Sequence, residues 1–144
     1  SWSKRSNLAG YRFGSVAGDP AVVARLLEVR KHAGMMVPLP VQAAAVAAWS
    51  DDEHVLVQRE RYARRRDVLR AALSGAGFRI DESKAGLYLW ATRDEPCWDT
   101  VNDLADRGIL VAPGDFYGPA GDRHVRVAMT ASDDAVNLAA QRLA

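Results

Sequence analysis

The sequence predicts an α/β protein. Three observations carry that reading: helical periodicity dominates up to residue 75, strand-like segments begin after Gly77, and the remainder follows the order β-β-α-β-β-α. Residues 1–10 are polar and end in glycine, and the run Tyr-Arg-Phe-Gly-Ser-Val-Ala at 11–17 has strand character, closed by Gly18-Asp19-Pro20. Asp19 before Pro20 is a helix start, and Val22, Val23, Leu26, Leu27 and Val29 recur at helical spacing until Gly34 stops them. Residues 35–40 hold two prolines and must be largely extended. The small-residue helix expected over 41–49 suits close packing and burial, whereas 51–75 reads as one long amphipathic helix that could bridge two lobes. Strands are expected at 78–80, 86–91, 109–112 and 124–129, with helices over 98–107 and from Ser132, the capping residue, to Leu143.

Composition narrows the function classes. The 144 residues are 49% hydrophobic and 26% charged, enough for a packed core. A net charge of +1 provides no global field to attract nucleic acid or an anionic membrane. The arginines at 59, 61, 64, 65, 66 and 70 are interleaved with Glu53, Glu60 and Asp67, which reads as a solvated, charge-paired helix face. No apolar run approaches the ~20 residues a membrane span needs. The single cysteine, Cys97, cannot form an internal disulfide and reads as packing, and His32, His54 and His124 have no metal-ligand spacing. This usage suits a cytoplasmic protein. Ser1 is not a methionine, and the opening residues resemble no signal peptide, so the chain reads as a fragment.

The most informative stretch is Ser1-Trp2-Ser3-Lys4 followed by Gly10-Tyr11-Arg12. A lysine amine condenses with an aldehyde, while hydroxyls and a guanidinium hold a phosphate by charge-assisted hydrogen bonds. A cofactor bearing both groups needs that set of residues.

The spacing resembles the fold-type-I pyridoxal-phosphate (PLP) enzymes of the class I/II aminotransferase group, whose signature is Ser-x-Ser-Lys, a short gap, then Gly-x-Arg. The resemblance implies that Lys4 carries PLP as a Schiff base and moves a proton on the substrate, and that Ser1 and Arg12, with Ser3 less firmly, hold the phosphate. Downstream segments are similar to the family's in order: residues 7–14, Val37-Pro38-Leu39-Pro40-Val41-Gln42, Ala85-Gly86-Leu87-Tyr88-Leu89-Trp90, and residues 108–118 leading into His124-Val125-Arg126-Val127-Ala128. The last matches the family's carboxylate-binding arginine, which points to Arg126. An arginine between Val125 and Val127 needs a partner if buried, and a substrate carboxylate or an internal acidic residue would serve. Tyr88 is a candidate to line the substrate pocket, with plain core as its alternative.

The strings at 3–12 and 30–38 further resemble succinyldiaminopimelate aminotransferases of lysine biosynthesis. The resemblance implies the end of a PLP-binding large domain over 1–50, a connecting helix over 51–75 and a small C-terminal α/β domain over 76–144. It also implies glutamate as amino donor, a keto-acid acceptor and a homodimer. Met35 and Met36, bulky apolar residues between Gly34 and two prolines, are expected at the subunit interface, with ordinary intrachain packing as the alternative. The family places the residue for the pyridine nitrogen upstream of the lysine, so this chain alone is expected to be a poor catalyst. Lyases or decarboxylases of the same fold, and the aminotransferase-like effector domains of transcription regulators, share these residues.

Overall fold

A computed structural model describes residues 1–144 and divides them into two compact units, Ser1–Gln58 and Arg59–Ala144.

The first unit opens with α1 (Trp2–Arg5), a single turn capped by Ser1. One turn closes too few hydrogen bonds to persist unaided. Its anchor is Trp2, 4% exposed, whose ring lies 5.8 Å from Phe13 and 4.6 Å from Trp49 and is covered by the Arg5 guanidinium at 5.3 Å. Arg5 also donates to Ala48 O at 2.9 Å and pairs with Asp52. In α2 (Pro20–His32) the expected start is present, with Asp19 Oδ1 accepting from the amides of Ala21 at 2.9 Å and Val22 at 3.1 Å.

Two expectations for this unit fail. Residues 11–17 form no strand: a 3-10 turn covers Ala9–Tyr11, and the residues after it find no partner strand beyond one bond from Trp2 N to Phe13 O at 3.4 Å. β-propensity without a neighbour to complete the ladder does not make a sheet. The small-residue helix forms as α3 (Leu39–Trp49) but is not buried, Ala45 alone being sequestered. Its buried and half-buried positions, Val41, Ala44, Ala45 and Ala48, form one stripe at helical spacing, and the rest of the helix is exposed.

The long helix α4 (Glu53–Gly75) crosses the boundary between the units. Its Leu69 and Leu73 are buried, and Arg65, one turn before Leu69, follows the same stripe. Arg65 therefore bonds Asp133 at 2.5 Å and Met129 O at 3.2 Å, while Arg66 reaches Ser83 O and Gly86 O. These two arginines lace the second unit together, which corrects the reading of that helix face as wholly solvated.

In the second unit β1 (Arg79–Asp81), β2 (Tyr88–Thr92), β3 (Ala112–Pro113) and β4 (Val125–Ala128) make an antiparallel sheet in the order β1-β2-β4-β3. With α5 (Cys97–Asp106) and α6 (Asp133–Leu143), the expected β-β-α-β-β-α order is realised. Of the four residues foreseen for this strand only Ala112 is in it: β3 pairs Ala112 and Pro113 with Arg126 and Val125, and residues 109–111 find no ladder partner. The core is Leu69, Leu73, Leu104, Val136 and Leu143 from the helices against Leu89, Ala91, Val125 and Val127 from the strands. Each large side chain contributes about 1.5–3 kcal/mol on burial.

Between β3 and β4 the chain folds back on itself. Gly114 N donates to His124 O at 2.8 Å, and a methyl on Gly114 would stand 2.2 Å from Gly121 O and 2.5 Å from His124 O. Both contacts are backbone and cannot swing away. Gly114→Ala should therefore destabilise the protein by about 3 kcal/mol or more in chemical unfolding, at the upper end of overpacking costs. By contrast Gly75→Ala, whose methyl meets nothing within 4 Å at the end of α4, should be neutral or stabilising by about 0.5 kcal/mol.

Candidate active site

Lys4 sits on α1 with its side chain exposed and without a hydrogen bond or ion pair. Trp2, two residues before it, is fixed in the core of the unit, so the turn presents Ser1, Ser3 and Lys4 around a held centre. Ser1 Oγ donates to Ser3 Oγ at 3.2 Å and accepts from Ser3 N at 3.3 Å. Arg12 adopts the left-handed conformation, φ 52°, which is uncommon for a side-chain-bearing residue, and its Nη1 donates to Ala9 O at 3.0 Å. The bond between Trp2 N and Phe13 O ties the Arg12 loop to α1. The unit thus carries one unpaired amine, two hydroxyls and a guanidinium on two connected turns. That donor set fits an aldehyde-phosphate cofactor.

In the second unit the alternation of β2 and β4 separates two faces. Leu89, Ala91, Val125 and Val127 turn into the core, while Tyr88, Trp90 and Arg126 are half-buried on the other side, with Arg126 directly opposite Trp90 in the register. The Arg126 guanidinium lies 4.1 Å from the centroid of the Tyr88 ring and 5.0 Å from that of Tyr117. No carboxylate of the chain pairs with it, and its Nε is buried without a hydrogen-bond partner. A buried charged donor left open costs several kcal/mol unless something fills it. Two aromatic faces hold the cation, and its in-plane donors remain available to a planar carboxylate.

Four neighbours were not singled out from the sequence: Trp90, Tyr117, His124 and Asp81. Tyr117 stands edge-on to Trp90 at 5.8 Å, Trp90 stacks on His124 at 5.1 Å, and His124 Nε2 is 3.0 Å from Asp81 Oδ2. Trp90 was within reach of the period-two argument, since it lies two residues after Tyr88 on one strand. Tyr117 and Asp81 come from other segments, and no local pattern links them to Arg126.

A model of the aminotransferase class I and II family matches residues 1–143. The chain belongs to that family. Its members use pyridoxal phosphate. Among curated relatives, a 4-dedimethylamino-4-oxo-anhydrotetracycline transaminase of Streptomyces rimosus is 66% identical over 143 residues, covering 99% of this chain and 40% of that protein. A probable aminotransferase of Mycobacterium tuberculosis is also 66% identical, with 99% and 34% covered. The solved structure of an aminotransferase from Staphylococcus aureus aligns with a TM-score of 0.84 at 29% identity, over 99% of this chain and 39% of that one. The chain spans well under half the length of these relatives, and the match to fold-type-I structures corresponds to their C-terminal portion. No helix is long and apolar enough to cross a membrane.

The electrostatics of the second unit also set its acid limit. Hydrogen bonds from Arg79 first, and from His124 second, hold the Asp81 carboxyl below its ordinary value; Arg65 does the same to Asp133. A depressed folded-state value means that the stabilisation is full above the unfolded carboxylate range and is lost as pH falls through the folded value. The stability of the unit should be flat down to about pH 5 and decline below about pH 4. Asp81→Asn should flatten that decline in thermal unfolding measured across the acid range; an unchanged slope would remove Asp81 as a contributor.

Proposed function

We propose that the protein containing this chain is a PLP-dependent aminotransferase that moves an amino group from an amino acid, glutamate first among donors, to a keto acid. The observation that carries the reading is Arg126, a strand-borne guanidinium with aromatic neighbours, an orphaned buried donor and no carboxylate in its own chain. In this reading Arg126 binds the substrate α-carboxylate, with Tyr88 against it. Ser1, Ser3 and Arg12 hold the cofactor phosphate. Lys4 bears the cofactor and moves the proton at the substrate Cα.

Bound PLP supplies an aldehyde that condenses with amines and a ring that delocalises electrons from the substrate Cα. The chain's own residues supply orientation and proton transfer. A planar fork on a strand fixes the carboxylate in one attitude, and so fixes the direction of the Cα–H bond. By the family resemblance, Lys4 is the residue that would accept that proton, and its side chain is exposed and unpaired.

For the acceptor, the resemblance to succinyldiaminopimelate aminotransferases puts the keto acid whose amination gives succinyldiaminopimelate, and with it lysine biosynthesis, first. The Streptomyces relative, named for 4-dedimethylamino-4-oxo-anhydrotetracycline, provides the alternative to assay beside it. We also propose a homodimer. Met35 at 58% and Met36 at 75% exposure, with Leu39 and Val46 beside them on the first unit, present an apolar surface that a soluble monomer seldom leaves open.

In the full-length protein, Lys4→Ala should abolish both the visible absorbance of bound cofactor and its fixation by borohydride. An unaltered spectrum would assign the cofactor to another residue. Arg126→Lys keeps the charge and loses the fork, so the KM for donor and acceptor should rise about tenfold to a hundredfold, the equivalent of one charge-assisted bond, with the cofactor spectrum intact. Equal kcat/KM in both half-reactions would place the carboxylate elsewhere. Release of carbon dioxide or cleavage of a carbon–sulfur bond, in place of keto-acid-dependent amine transfer, would point to a lyase or decarboxylase.

A further inference from the structure

One of the two rings beside Arg126, Tyr117, packs on Trp90, and behind Trp90 stands a pair of titratable residues to which no role is yet attached. We infer that His124 and Asp81 are positioning residues for the Arg126 clamp: their bond fixes the plane of Trp90, and Trp90 sets the Tyr117 ring beside the guanidinium. This rests on the reading of Arg126 as the carboxylate-binding residue.

The connection can be followed atom by atom. Asp81, on β1, accepts from Arg79 Nε at 3.0 Å and Nη2 at 3.3 Å, so its carboxylate is anchored before it meets His124 Nε2 at 3.0 Å. The His124 ring is nearly parallel to Trp90, 7° between planes, at 5.1 Å. Trp90 in turn meets Tyr117 at 80° and 5.8 Å, and Tyr117 lies 5.0 Å from the Arg126 guanidinium carbon. Offset-parallel and edge-on pairs at these separations are the preferred aromatic geometries, and each restricts the rotation of its partner. The Trp90 ring also abuts the Gly114 backbone so closely that a methyl there would stand 2.9 Å from its Cη2.

The choice of histidine supports a directed role. His124 Nδ1 is buried and has no partner, a cost that phenylalanine would not incur if the ring were mere filler. What histidine gains over phenylalanine is the bond to Asp81, which fixes the rotation of the ring and so the plane on which Trp90 rests. Asp81, Trp90, Tyr117 and Arg126 line one shallow depression, with His124 behind Trp90.

The test is a substitution cycle in the full-length holoenzyme, read as KM and kcat for an amino-acid donor, with Arg126→Lys as reference. His124→Ala and Trp90→Phe should each raise KM about two- to tenfold, the factor one aromatic pair is worth, with kcat within about twofold and the cofactor spectrum unchanged. In a Tyr117→Leu background the same substitutions should add less than about twofold, because the ring through which they act is gone. Should His124→Ala fail to fold, Trp90→Phe completes the cycle. A KM unmoved by the single substitutions, or a full effect persisting in the Tyr117→Leu background, overturns the inference while a raised KM in Arg126→Lys leaves the clamp standing. An unmoved KM in Arg126→Lys removes the clamp itself.

Discussion

The second unit depends on one constraint, the two-residue alternation of β2 and β4. A strand sends successive side chains to opposite faces, so placing Leu89, Ala91, Val125 and Val127 in the core puts Tyr88, Trp90 and Arg126 together on the other face. Burial on one side fixes the register, and the register sets Arg126 opposite Trp90. The charged group is thus positioned by apolar packing on the far side of the sheet. The energy that orders the Arg126 guanidinium comes in large part from residues on the opposite face of the sheet.

The same constraint explains what was legible beforehand. Arg126 could be assigned to a strand with its side chain opposed to two valines, and Tyr88 to a strand beside it, because alternation is written in the local sequence. The spacing of Ser1, Ser3, Lys4, Gly10 and Arg12 was legible because it compresses a set of chemical needs into a dozen residues. Where the reading failed, the deciding partner lay elsewhere in the chain or was absent. The segment at 11–17 has strand-forming residues and no strand to pair with, and the alanines of α3 carry no face preference that could declare which side is inward. Tyr117 and Asp81 join the site by tertiary contact alone. Arg65 and Arg66 gave the same lesson for charge, since glutamates close in sequence suggested pairs that the fold resolves instead with Asp133 and loop carbonyls.

Lys4 and Arg126 are supported in opposite ways, and the difference suits the parts proposed for them. Lys4 lies on a four-residue helix that cannot hold itself and is fixed only at its root by the packing of Trp2, leaving the side chain exposed and unpaired. A group that must carry a cofactor and also move a proton needs a defined origin and a mobile end. Arg126 lies on a strand paired on both sides, its stem half-buried and its guanidinium against two rings. A group that fixes the attitude of a substrate needs a defined end. Exchanging the two kinds of support would defeat both: a lysine gripped along its length could not follow a reacting atom, and an arginine on a single turn would spend its binding energy on ordering itself.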